Sequence, residues 1–95
     1  MTSRFRIADD VAWVSQEDLD SGDAPTAYVT RVPKGLPIVL EGSGCVVWLA
    51  LAAGGTIEEI TDLAAEMAGL SPEAISHDVA DLVDQLVTIR LVREE

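Results

Sequence analysis

Apolar and polar residues alternate along the first part of the chain, which is typical of β-strands that bury one face. The alternation predicts a first extended segment over residues 5–15, interrupted by a turn at Asp9-Asp10, and a second strand over residues 27–32. Residues 16–26 are polar, acidic and rich in turn-forming residues, so we expect a loop between the two.

A third strand is predicted over residues 36–40, a short apolar stretch that follows the turn residues Pro33-Lys34-Gly35. Its side chains would alternate between a core face, with Leu36, Ile38 and Leu40, and an outer face, with Pro37, Val39 and Glu41. Pro37 has no N–H to donate to a neighbouring strand, so it belongs on an edge strand. An edge strand keeps unpaired backbone groups that can accept a further strand.

Helical spacing of apolar residues begins after the third strand. Ser43 is predicted to cap a first helix over residues 44–53, which is apolar on nearly every side and should therefore be buried at the centre. Thr56 and Glu59 have the spacing of a capping box, which predicts a second helix that ends at Gly69.

The third helix is predicted to begin at Ser71-Pro72 and to run to about Thr88, with an apolar tail, Leu91-Val92, behind it. It carries a core stripe of Ile75, Val79, Leu82 and Leu86, and a second stripe of Ser76, Ala80, Val83 and Val87. This apolar arc is wider than one packing contact needs. The second stripe could pack on the first sheet or the tail, form a homodimer, or line a groove beside the edge strand.

The order of elements predicts an α+β fold in one domain over residues 1–95, with a three-stranded antiparallel sheet followed by three helices. This order permits a winged helix-turn-helix arrangement, which often binds DNA. A recognition helix should present basic or amide side chains, whereas the third helix carries Asp78, Asp81 and Asp84. Carboxylates facing phosphates disfavour DNA binding.

Charge narrows the choice of partners further. The chain has 6 basic and 17 acidic residues and a net charge of −11, so we expect neither nucleic acid nor an anionic membrane as a partner. The longest apolar run, residues 45–53, falls short of the about 20 residues that span a bilayer, and no signal sequence is evident. These features predict a cytoplasmic protein with a basic or cationic-hydrophobic partner.

Few residues could carry out catalysis or bind metal. The chain has one cysteine and one histidine, too few for a zinc site. Cys45 should be a structural residue of the buried helix, and His77 an exposed one on a polar helix face. The glycines at 42–44 and 54–55 lack the Lys-Ser/Thr ending of a phosphate loop. We therefore expect no enzyme activity, cofactor or metal.

Several short segments in the last sixty or so residues occur in an order and spacing that resemble a known family. They are Leu40-Glu41-Gly42-Ser43 leading to Val47-Trp48, Gly55-Thr56-x-x-Glu59-Ile60, Asp78-Val79-x-x-Leu82-x-x-x-Leu86, and Leu91-Val92. This part of the chain resembles the PqqD-like proteins, recognition elements for ribosomally synthesised and post-translationally modified peptides (RiPPs). It departs from them at Arg90, where a glycine usually precedes the closing Leu-Val.

The resemblance implies a stand-alone, winged-helix-like domain that does no chemistry itself. Such a domain binds the leader of a precursor peptide as an added strand, between its third strand and third helix, and delivers it to a modifying enzyme or leader peptidase. Carried onto this chain, the peptide-binding residues are Leu36, Pro37, Ile38, Val39 and Leu40 of the strand and Ala80, Val83, Asp84 and Val87 of the helix. We expect a monomer or weak homodimer; the competing hypotheses are a homodimerising interaction module and, less favoured, a DNA-binding regulator.

Overall fold

The first extended segment is divided in two in the computed structural model, which describes residues 3–16, 26–32, 35 and 37–95. Strand β1 (Arg4–Ile7) and strand β2 (Val11–Gln16) flank a turn at Asp9-Asp10. The predicted interruption at these two residues is therefore confirmed. Most of the loop predicted over residues 16–26 lies outside the described residues.

Strand β2, strand β3 (Thr26–Arg31) and strand β4 (Ile38–Glu41) form an antiparallel sheet in the order β2-β3-β4. This is the predicted three-stranded sheet, and the α+β class is confirmed together with it. Pro37 directly precedes β4. Leu36 and the turn residues Pro33 and Lys34 lie outside the described residues.

The three predicted helices are α1 (Ser43–Ala53), α2 (Ile57–Ala68) and α3 (Pro72–Thr88). The predicted cap of α1 is wrong, because Ser43 is already the first helical residue and Gly42, with a φ of 58°, occupies the cap position. A tight reversal from β4 into α1 needs this left-handed conformation, which glycine adopts without strain. The capping box of Thr56 and Glu59 is confirmed, with both hydrogen bonds present.

A second small sheet has no counterpart in the sequence prediction. It pairs β1 with strand β5 (Gly55–Thr56) on one side and with strand β6 (Val92–Glu94) on the other, both antiparallel. Val92 of the predicted apolar tail is thus the first residue of a strand, which Leu91 directly precedes. Strands of two and three residues are too short to show the alternation by which strands are recognised in a sequence.

Helix α1 lies at the centre of the core, as predicted. Trp48 and Leu51 of α1 are fully buried, and the Trp48 ring packs edge-on against Trp13 of β2 with ring centroids 6.0 Å apart. Within the described ranges, no helix is both long and apolar enough to cross a membrane.

Candidate functional site

The outer edge of β4 is the first part of the candidate site. Among the described strands, β4 pairs with β3 alone and ends the sheet. The strand that Pro37 directly precedes is therefore an edge strand of this sheet, and Pro37 itself lies just outside it. Ile38 and Leu40 are half-buried and pack on the core, whereas Pro37, Val39 and Glu41 are exposed, so the predicted alternation of faces is confirmed for these five residues.

The hydrogen-bond register shows which backbone groups of β4 point outwards. The Val32 N–H donates to the Asp10 carbonyl at 2.8 Å, and antiparallel residue pairs alternate between bonded and non-bonded. Carried along β3, this alternation directs the backbone N–H and C=O groups of Ala27 and Val29 towards β4. There they pair with Leu40 and Ile38.

The residues of β4 that alternate with Ile38 and Leu40 direct their backbone groups away from β3. The N–H and C=O groups of Val39 and Glu41 therefore point into the open edge. The N–H that Pro37 lacks would also have pointed outwards, so the proline costs the sheet no hydrogen bond. A chain lying along this edge would find its first amide partner at Val39.

The structure brings together the four helix residues predicted to bind peptide, on one flank of α3. Ala80, Val83, Asp84 and Val87 line a cavity of about 280 Å³ together with Ser3, Phe5, Ile57 and Glu94. Phe5 belongs to β1 and Glu94 to β6, so this flank faces the small sheet. Val83 is only 2% exposed and is part of the core. Of the second apolar stripe of α3, Val83 is therefore part of the core and Val87 is half-buried, whereas Ser76 and Ala80 are exposed.

A different flank of α3 faces the start of α1, the helix that follows β4 in the chain. Here a smaller cavity, of about 90 Å³, is lined by residues of all three helices: Ser43, Val46, Val47, Ala64, Ala68, Leu70, Ile75, Asp78, Val79 and Leu82. Ser43 comes two residues after Glu41, the last residue of β4. This apolar pocket therefore connects α3 to the start of the helix that follows the open strand.

Sequence reasoning assigned Leu82 to the core stripe, and it used Asp78 as an argument against DNA binding and as part of the family resemblance. In the structure Leu82 is half-buried and Asp78 is exposed, and both line this pocket. Their spacing of four residues places them on one helix face, which was the available signal. Glu41, at the end of β4, is also exposed, so the surroundings of the pocket favour a basic partner.

The few groups capable of chemistry are placed as predicted. Cys45 is fully buried in α1, and His77 is exposed on α3. Within the described ranges, no three His, Cys, Asp or Glu residues are grouped so that they could hold a metal ion.

Comparison with known proteins gives one match. The family model described as coenzyme PQQ synthesis protein D (PqqD) matches residues 31–92, about two thirds of the chain. The matched range includes β4, the three helices and Val92, the first residue of β6. No curated protein and no solved structure matches the chain.

Proposed function

The chain belongs to the PqqD family, and from this premise we propose that it binds the leader of a ribosomally synthesised precursor peptide as a strand added to β4. Membership supports a peptide-binding accessory role in RiPP biosynthesis, and the family is a non-catalytic one. The modifying chemistry would then belong to separate enzymes.

The observation that carries the proposal is the open edge of β4. Val39 and Glu41 direct backbone donors and acceptors away from the sheet, and the Val39 side chain is 50% exposed. Unpaired edge groups are a template for a further strand. In such strand addition, main-chain hydrogen bonds provide affinity and pockets for alternate side chains provide specificity.

The second wall of the proposed groove is the flank of α3 that carries Asp78 and Leu82. The pocket on this flank would take an aliphatic side chain of the leader. Asp78 at the pocket and Glu41 at the end of β4 would favour a neighbouring Lys or Arg in the leader. A leader with an apolar anchor next to a basic residue fits both walls.

The flank of Ala80, Asp84 and Val87 stays a second candidate for this wall. Ala80 and Asp84 are exposed and Val87 is half-buried, so a peptide could reach them through the cavity beside β1. Val83 is less suited because it is already buried within the chain. The same burial leaves less of this stripe available for the competing hypothesis of a homodimer.

The last step of the proposed function is delivery of the bound leader to an enzyme. Strand addition uses one edge of the protein, which leaves the opposite surfaces free for a modifying enzyme or a leader peptidase. We propose a monomer or weak homodimer as the working state, since a tight dimer through either flank of α3 would cover a wall of the groove. Sedimentation across a range of concentrations measures this state directly.

The test is a titration of a fluorescently labelled leader, taken from a precursor gene next to this one, followed by anisotropy. Val39→Pro removes an N–H that faces the open edge and none that faces β3, so we expect a loss of affinity of about tenfold or more, since a hydrogen bond left unmade costs about 1–3 kcal/mol. Val39→Thr keeps the N–H and the strand propensity, so it is the matched control for the proline variant.

The paired variants decide whether the edge is used. Leader binding that weakens in Val39→Pro and persists in Val39→Thr supports strand addition, provided circular dichroism shows both variants folded. Equal affinities in the proline variant and the wild type would show that the leader does not pair with β4.

A further inference from the structure

Three exposed apolar side chains form a row across the outer face of the sheet β2-β3-β4. Val14 of β2 lies directly opposite Tyr28 of β3, and Tyr28 lies directly opposite Val39 of β4. The three residues are 63%, 44% and 50% exposed. Residues directly opposite each other on neighbouring strands share one face, with Cβ atoms about 4.5–5.5 Å apart. This outer row therefore crosses all three strands and ends at Val39, beside the open edge.

The outer face carries little charge, although the chain as a whole has a net charge of −11. Its positions are residues 12, 14 and 16 of β2, residues 26, 28 and 30 of β3, and residues 39 and 41 of β4. Glu41 is the charged residue among these positions. It is exposed and forms no ion pair with any residue that the structure describes. The open edge thus presents one apolar and one acidic side chain, two residues apart, on the same face.

A strand added to β4 would place two of its own side chains beside this pair. The residue opposite Val39 would extend the outer row by one side chain, and the residue opposite Glu41 would lie next to its carboxylate. Aromatic and β-branched residues form favourable cross-strand pairs with each other, and so do residues of opposite charge. Val39 and Glu41 therefore favour an apolar and a basic partner, respectively.

We propose that the outer face of the sheet recognises two side chains of the leader, an aromatic or β-branched residue opposite Val39 and a Lys or Arg opposite Glu41. This inference rests on the proposed function, because it requires the leader to be the strand added to β4. Successive side chains of a strand point to opposite faces. The two side chains are therefore different from those that would contact α3, and the leader would be recognised on both of its faces.

The direction of the added strand determines the order of the two residues. Both strand pairs in this sheet are antiparallel, and antiparallel pairing is slightly more stable per residue than parallel pairing. In an antiparallel leader, the residue opposite Glu41 comes two positions before the residue opposite Val39. The segment that pairs with β4 should therefore contain a basic residue, then any residue, then an aromatic or β-branched one.

The experiment exchanges charges between the protein and the leader. The leader encoded by the precursor gene next to this one is titrated against Glu41→Lys and Val39→Glu, both of which circular dichroism should show to be folded, since both positions are exposed. We expect each variant to bind this leader at least about two- to fivefold more weakly than the wild type, as for the loss of a cross-strand pair. Leaders with Glu at one successive position are then titrated against the first variant, and leaders with Lys at one successive position against the second.

Each variant should be rescued by a replacement at one leader position. The position that rescues Glu41→Lys should hold Lys or Arg in the natural leader. It should lie two residues before the position that rescues Val39→Glu, which should hold an aromatic or β-branched residue. Glu66→Lys is the matched control, because it makes the same change of charge at an exposed residue of α2 that lines neither cavity beside α3. It should leave the affinity unchanged.

The result separates this inference from the proposed function. Rescue at two positions that are two residues apart but hold other residue types would support strand addition and overturn recognition by the outer face. Rescue at no position, the reverse order of the two positions, or an equal loss of affinity in Glu66→Lys would also overturn it. A leader that does not bind the wild-type protein would contradict the proposed function and this inference together.

Discussion

Val39 and Pro37 show how much of the open edge of β4 is determined by single residues. The chemistry of proline predicted an edge strand from the sequence, and β4 is one. Which amides of that strand face outwards could not be predicted. That direction depends on the pairing of β4 with β3, and a shift of one residue would exchange the inward and outward groups.

Trp48 provides a test of the core at the level of a single residue. Its side chain is fully buried, and its indole N–H has no hydrogen-bond acceptor among the described residues. Trp48→Ala should lower the free energy of unfolding by about 3–5 kcal/mol through the cavity it leaves. Trp48→Phe loses volume and edge-on contact with Trp13 but no hydrogen bond, so it should cost about 1–2 kcal/mol.

Equilibrium unfolding in urea, followed by far-UV circular dichroism, measures both changes. A Phe variant as unstable as the Ala variant would contradict this description of the site, since the loss would then have to come from the indole N–H.

The start of α2 depends on a local element that the sequence predicted completely. Glu59 accepts a hydrogen bond from the Thr56 N–H and donates its own backbone N–H to the Thr56 hydroxyl. The bond from the Thr56 backbone, followed by the Thr56 hydroxyl and the nearby charge of Arg4, lowers the pKa of Glu59 below its ordinary value of 4.5. All the necessary residues lie within four positions, so no long-range contact had to be known.

This lowered pKa gives a prediction for stability against pH. A carboxyl whose pKa is lower in the folded state stabilises the fold above its unfolded pKa, and the stabilisation is lost as the pH falls through the folded pKa. Thermal unfolding should therefore show the wild type more stable than Glu59→Gln at pH 7, with the difference shrinking below about 4.5. A difference that does not change between pH 7 and pH 3 would contradict the assignment.

Helix α3 could be predicted in extent but not in orientation. Its start at Pro72 and its end near Thr88 follow from local signals. Its apolar arc covers both a core stripe and the stripe that packs towards β1 and β6, and periodicity alone cannot distinguish packing from a free groove. In the structure Val83 is part of the core, whereas Ala80 on the same stripe stays exposed.

The two flanks of α3 can be compared by equal charge reversals. Asp78→Lys changes the flank that faces the start of α1, and Asp84→Lys makes the same change on the flank beside β1. Both residues are exposed, so neither change should unfold the protein. If the leader lies by Asp78, the first variant should lose about tenfold in affinity for a leader that carries Lys or Arg, and the second little.

Anisotropy titration at two salt concentrations checks this, because the effect of an exposed charge should shrink as salt rises. A larger loss in Asp84→Lys would move the second wall to the flank of Ala80 and Val87.

At the scale of the whole molecule, charge and topology together support the proposed partner, a basic leader peptide. The net charge of −11 attracts a basic peptide and repels nucleic acid. Among the described strands, the sheet ends at β4, whose outer edge pairs with no other strand. The sequence predicted both features, but the family resemblance was needed to choose a precursor leader, since composition distinguishes only charge classes. The winged-helix likeness stays a prediction.

The most direct test of strand addition leaves the protein unchanged and modifies the peptide. A set of leader peptides, each N-methylated at one successive residue, is titrated against the wild-type protein by calorimetry. An added strand directs alternate amides towards β4, so methylation should abolish binding at every second position and be tolerated between them. Loss of binding without this alternation, or no loss at any position, would contradict strand addition at the edge of β4.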